Sequence, residues 1–188
     1  GTGDETFRRR VLEGTLAAVA DLRPDGGDDA SRAIMTTDSR PKRALVTRDG
    51  WTIGGMAKGA GMLAPGLATM LVVITTDADV SAADLDSALR AATSLTFDRL
   101  DSDGCMSTND QVTLMASAAS GIRPEPDAFA RALTEVCQDL AQQLQGDAEG
   151  ASHDIAIQVV HAASAEDAVA VGRSVARNNL FKAAIFGN

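Results

Sequence analysis

The run Lys58-Gly59-Ala60-Gly61-Met62-Leu63-Ala64-Pro65-Gly66-Leu67-Ala68-Thr69-Met70-Leu71-Val72-Val73-Ile74-Thr75 decides the fold. Its first half carries Gly59, Gly61, Pro65 and Gly66. Glycine reaches backbone angles closed to other residues and proline ends regular structure, so residues 57–68 read as a shaped loop. From Met70 to Thr75 the chain is apolar and partly β-branched without a break, which predicts a buried strand. Thr69 therefore stands where a glycine-rich loop enters a buried strand.

Upstream, Ala44–Thr47 and Thr52–Met56 flank Asp49-Gly50, a strong tight-turn signal, and predict a hairpin over 43–56. Residues 5–20 place Phe7, Val11, Leu12, Leu16 and Val19 at helical spacing, with Arg8, Arg9 and Arg10 as a solvated face. Asp21 to Asp29 reads as a loop, and a short helix follows, ending near Met35.

Downstream, Ser81 and Asp84 resemble a capping box ahead of a helix whose apolar face is Leu85, Leu89, Ala92 and Leu95. Asp98 to Gln111 is polar, and Val112–Ala116 predicts a strand. Pro126 suits a first helical turn, and Phe129, Leu133, Val136, Leu140 and Leu144 form the stripe behind it. After the polar break at Gly146–Gly150, Ile155, Ile157 and Val159 alternate like a half-buried strand, and Ala163–Arg177 predicts a last helix. Helices and strands mix without a regular βαβ rhythm. The expectation is an α+β layered fold, one domain over 1–188 or part of one.

The chain has 188 residues with 17 Lys and Arg against 26 Asp and Glu, a net charge of -9 that disfavours nucleic acid and anionic membranes as partners. It has one Trp and no Tyr, so base-stacking platforms are scarce as well. Cys105 and Cys137 form no C-x-x-C pair, and His153 and His161 have no metal-binding spacing. The most apolar stretch, Met62 to Ile74, falls short of the roughly 20 residues a membrane span needs, and no signal-like segment opens the sequence. The expected location is cytoplasmic.

Four segments in one order carry a resemblance. Ile34-Met35-Thr36-Thr37-Asp38-Ser39-Arg40-Pro41-Lys42, Lys58 to Leu71, Asp103 to Asp110 (with Ser107-Thr108-Asn109-Asp110) and Gly146-Asp147-Ala148-Glu149-Gly150 resemble signatures of the self-cleaving ornithine acetyltransferases of arginine biosynthesis. The resemblance runs through nearly the whole chain, which is shorter than complete members of that family. It implies a layered sandwich of β-sheets covered by helices, like that of the related self-processing aminopeptidases. It also implies cleavage between Ala68 and Thr69 into segments 1–68 and 69–188. Thr69 would then pass an acetyl group from N-acetylornithine to glutamate, with no metal or organic cofactor and with acetyl-CoA as a further donor in some members.

The residues suit that chemistry. A threonine hydroxyl needs a base, and an N-terminal threonine supplies its own α-amine. That amine has a pKa of about 7.7–8, within the useful range for a general base at neutral pH. Before cleavage the same nitrogen is an amide and cannot serve. The resemblance further assigns oxyanion stabilisation to Thr2 and Gly3, and substrate contacts to Thr36 or Thr37, Lys58 and Glu149. Lys58 would hold a carboxylate and Glu149 the ornithine side-chain amine. Asn109 and Asp110 read as organisers of their loop. The resemblance implies a complementary chain from the same precursor, within a larger oligomer. The competing readings are a self-processing amide hydrolase that passes the acyl group to water, and a shortened non-catalytic relative that binds amino acids.

Overall fold

The computed structural model describes residues 4–61, 70–102, 104 and 109–187. Thr2, Gly3, Ala68 and Thr69 lie outside the described residues, as do Cys105 and the segment Ser107-Thr108. The architecture is α+β: one four-stranded sheet in the order β1-β2-β3-β4, with helices packed on one of its faces.

Strands β1 (Lys42–Arg48) and β2 (Trp51–Lys58) form the expected hairpin. Its turn places Asp49 at φ 43° and Gly50 at φ 86°, the left-handed conformations that a two-residue turn of this hand requires. A Cβ on Gly50 would also come within 2.8 Å of Ile122 Cδ1, so glycine answers both demands. Strand β3 (Leu71–Thr76) pairs antiparallel with β2. Strand β4 (Gln111–Ala116) pairs with β3 in parallel, which requires a crossover. Helix α3 (Ala82–Leu95) lies in that crossover, so one βαβ unit exists where the sequence suggested no such rhythm. The Ser81 hydroxyl caps α3 by accepting from the Asp84 N–H at 3.2 Å.

The core forms between the sheet and α4 (Pro126–Gln145). The predicted stripe of Phe129, Leu133, Val136, Leu140 and Leu144 is fully buried, joined by Ala132, Cys137 and Ala141. Trp51, Ile53 and Ala57 of β2 and Val72 and Ile74 of β3 meet it. Gly55 lets the helix close in, because a Cβ there would stand 2.9 Å from Leu140 Cδ1 and 3.2 Å from Val136 Cγ1. Burial pushes the Cys137 thiol up to about 12, so that thiol is packing rather than chemistry.

Several expectations change in the structure. The run 70–75 is buried on one face: Val72 and Ile74 point into the core, whereas Leu71 and Thr75 are exposed. The opposite sheet face, with Leu45 and Met115, is uncovered among the described residues. Helix α1 (Glu5–Ala20) forms as predicted, capped by Asp4, yet its apolar stripe is as exposed as its arginines. Helix α2 (Gly27–Ala33) begins inside the expected loop. Residues 151–160 form no strand. They lie against helix α5 (Ala165–Ala176), where Ile157 and Val159 approach Gly172. Helix α6 (Asn179–Phe186) follows α5, which is therefore not the last. No described helix is long and apolar enough to cross a membrane.

Leu140→Ala should cost about 2–5 kcal/mol, because a cavity is left beneath the sheet. Gly55→Val should cost about 1–3 kcal/mol by overpacking the same contact. Urea unfolding followed by circular dichroism checks both, and a midpoint unchanged by either would contradict the tight α4–β2 contact.

Candidate active site

The four motif segments converge at one end of the sheet. Lys42 opens β1, Lys58 closes β2, Met70 leads into β3 and Asp110 leads into β4. In register, Lys42 faces Ala57, Lys58 faces Leu71, and Leu71 faces Gln111 across the parallel pair. Antiparallel pairing of β1 with β2 and β2 with β3, followed by the parallel return of β4, sets these four residues side by side although up to 68 positions separate them in sequence.

A buried ion triad ties three of these segments together, those holding Asp38 and Lys42, Gly59, and Asp147. The Lys42 ammonium donates to Asp38 Oδ1 at 2.7 Å and to Asp147 Oδ2 at 2.5 Å, and its side chain is 0% exposed. Asp38 Oδ1 also accepts the Gly59 N–H at 2.7 Å, and Asp38 Oδ2 accepts the Thr36 N–H at 3.1 Å. Asp147 accepts the Ser39 N–H at 3.0 Å and the Ser39 hydroxyl. Arg40 donates to the Gly146 carbonyl at 3.3 Å. Burial pushes the Asp38 carboxyl up, yet the Gly59 N–H, the Lys42 ammonium and the Thr36 N–H together hold it below its ordinary value. Asp147 follows the same balance: burial raises it, while Lys42 and Ser39 lower it further than burial lifts it.

The triad fixes the segments that carry the predicted contacts. Lys58 is buried at 5% exposure, and its ammonium reaches Thr36 Oγ1 at 3.3 Å. The sequence left Thr36 and Thr37 equivalent; the bond to Lys58 is made by Thr36, and both threonines are exposed. The Glu149 N–H donates to the Ala60 carbonyl. Glu149 Oε2 lies 4.0 Å from the point a Gly61 Cβ would occupy, so its carboxylate borders the glycine-rich loop. Thr36 thus meets Lys58, and Glu149 adjoins the same glycine-rich segment at Ala60 and Gly61.

Beside the backbone from Lys58 to Gly61 the structure places a cation, a hydroxyl and a carboxylate, groups that can pair with charged and polar parts of a ligand. Among the described residues no group of His, Cys, Asp and Glu could hold a metal ion. His153 instead hydrogen-bonds Ser152 at 2.8 Å and meets Phe186 edge-on. Sequence reasoning passed over Asp38, Lys42 and Asp147. The available signal was charge: an Asp and a Lys four apart in one motif, and an Asp in another.

The chain matches the model of the ArgJ family over residues 3–188. It is 64% identical over 95% of its length to the arginine biosynthesis bifunctional protein ArgJ of Streptomyces coelicolor. It is 61% identical over 98% of its length to that of Thermobifida fusca, and 55% over 99% to that of Mycobacterium leprae. The matched regions cover 46%, 48% and 46% of those relatives, so the chain spans about half their length.

Lys42→Met should cost about 3–5 kcal/mol, since it strands two buried carboxylates. Combining it with Asp38→Asn and Asp147→Asn should recover most of that loss. The two aspartates are held below their unfolded value of about 3.9. Their contribution is therefore complete above about pH 4 and is lost as pH falls through the lower folded values. Urea titrations from neutral pH downward should show stability falling in acid for the parent and a flatter profile for the triple variant.

Proposed function

This chain belongs to the ArgJ family, and on that premise we propose that it supplies the nucleophile and part of the substrate site of an acetyltransferase of arginine biosynthesis. The reaction is transfer of acetyl from N2-acetyl-L-ornithine to L-glutamate. The observation that carries this reading is that Thr36 meets Lys58 and Glu149 adjoins Ala60 and Gly61, at the sheet end where Lys58 closes β2 and Met70 leads into β3.

Cleavage of the Ala68–Thr69 bond frees the α-amine of Thr69, which takes the proton of its own hydroxyl. The oxygen attacks the acetyl carbon of N-acetylornithine. The C–N bond breaks, the departing nitrogen regains a proton, and ornithine leaves. The amine of glutamate then attacks the acetyl-threonine ester, the C–O bond breaks, and the hydroxyl is restored. Lys58 attracts the substrate carboxylate and Glu149 the side-chain amine of ornithine. Thr2 and Gly3 stabilise the oxyanion through their donors, and acetyl-CoA serves as a second acetyl source.

The two segments 1–68 and 69–188 have physical reason to stay together after the cut. Strand β2 belongs to the first and β3 to the second, and six residue pairs join them from Ile53↔Thr76 to Lys58↔Leu71. Helix α4, from the second segment, packs on β1 and β2 of the first. The layered sandwich of the related self-processing enzymes accounts for the uncovered sheet face, where a second layer would rest. The complete enzyme includes the other half of the relatives' length, working as an oligomer.

Intact mass before and after incubation with N-acetylornithine tests the reading. The expected result is two fragments meeting at Ala68–Thr69 that co-migrate until denatured, with one acetyl added to the Thr69 fragment. Thr69→Ala should abolish both cleavage and transfer, and transfer at the parental rate would refute the nucleophile. Lys58→Ala and Glu149→Ala should each raise KM for acetylornithine about tenfold or more, as loss of a charged hydrogen bond predicts. Unchanged steady-state kinetics would remove those residues from the site.

A further inference from the structure

The segment Ser107-Thr108-Asn109-Asp110 has no part in the proposed reaction, yet its last residue touches the chain one position beyond the nucleophile. Asp110 Oδ1 accepts the Met70 N–H at 2.7 Å. The Met70 carbonyl accepts the Gln111 N–H at 2.9 Å, and the Met70 side chain is buried in the core at 5% exposure. Leu71 is then held on both sides, by Lys58 of β2 and Gln111 of β4. Met70 precedes the first residue of β3, so its N–H falls beyond the regular ladder and a side chain has to satisfy it.

We propose that Asp110 is a positioning residue for Thr69, holding the Met70 amide so that the nucleophile has one orientation both for bond cleavage and for acyl transfer. The inference rests on the reading of Thr69 as nucleophile. Peptide planarity is what carries the restraint: an N–H and the Cα of the preceding residue share one plane, so fixing the N–H direction fixes where the preceding residue stands. With the Met70 carbonyl and side chain also held, the residue after Thr69 is secured at three points. Losing the amide anchor would free the peptide plane that joins Met70 to Thr69 and let the hydroxyl wander. A displacement of about 1 Å can cost about 100-fold in rate. In this role Asp110 acts through Met70, so its effect belongs to the chemical step rather than to substrate affinity.

Asp110→Leu removes the acceptor while keeping the branching and heavy-atom count of the side chain, and Asp110→Asn keeps an acceptor oxygen in place. Each variant is made in the protein at its full natural length beside the unsubstituted reference. Cleavage is followed by mass, and kcat is normalised to the sites that have been cut. Asp110→Leu should cleave at least about tenfold more slowly and lose about 100-fold in kcat per cut site, with KM within about twofold. Asp110→Asn should stay within about threefold of the reference in both. If Asp110→Leu does not fold, Asp110→Glu, which shifts the carboxylate by one methylene, replaces it and should lose at least about tenfold in kcat per cut site. Parental cleavage and per-site kcat in the Leu or Glu variant would overturn the proposal. So would an Asn variant as impaired as the Leu variant, or a loss confined to KM. A reference protein that neither cuts nor acetylates at Thr69 removes the nucleophile reading and this role together. A reference that does both beside an unimpaired Asp110→Leu removes the role of Asp110 alone.

Discussion

The buried ammonium of Lys42 is the constraint on which the site depends. A charge withdrawn from water must be paired and hydrogen-bonded. Lys42 meets that demand with two carboxylates from different parts of the chain, Asp38 and Asp147. Each carboxylate then spends its remaining lone pairs on backbone N–H groups of neighbouring segments, those of Gly59, Thr36 and Ser39. A half-satisfied network would cost more than an apolar core, so the segments are held in one mutual arrangement. Thr36, Lys58 and Glu149 adjoin these anchors and inherit their positions.

The sheet supplies the frame in which the triad can form. Gly55 admits α4 close to the strands, which brings the residues after the helix down to the start of β1. The parallel return of β4 through α3 brings Asp110 and Gln111 beside Met70. The same sheet leaves its other face bare among the described residues, and no described residue of α1, α5 or α6 is fully buried. The described residues thus hold a well-packed half, built around α4, beside the exposed apolar stripe of α1 and the bare sheet face.

Local signals carried far where they contained their own partner. The Asp49-Gly50 turn set the register of the hairpin, and every residue that the period of α4 named for its stripe is buried, while Ala132, Cys137 and Ala141 beside them went unnamed. They failed where burial depends on something distant. The run 70–75 is apolar throughout but is covered on one face, because nothing described lies over Leu71 and Thr75. Ile155, Ile157 and Val159 alternate as a strand does, yet a strand needs a neighbour to bond, and the segment lies against α5 instead.

The sequence by itself determined the α+β class and the order of the four motif segments, since residue types and spacing are local facts. It also held Thr36 and Thr37, Lys58 and Glu149 in view as expected substrate contacts, with the two threonines equivalent. Only the tertiary structure decided that Thr36 rather than Thr37 bonds Lys58, that Lys42 joins Asp38 to Asp147, and that Asp110 holds Met70. Those are meetings between residues tens of positions apart. Strand register and the closure of α4 on Gly55 create them, and no pattern within a single segment encodes the distance between two charges.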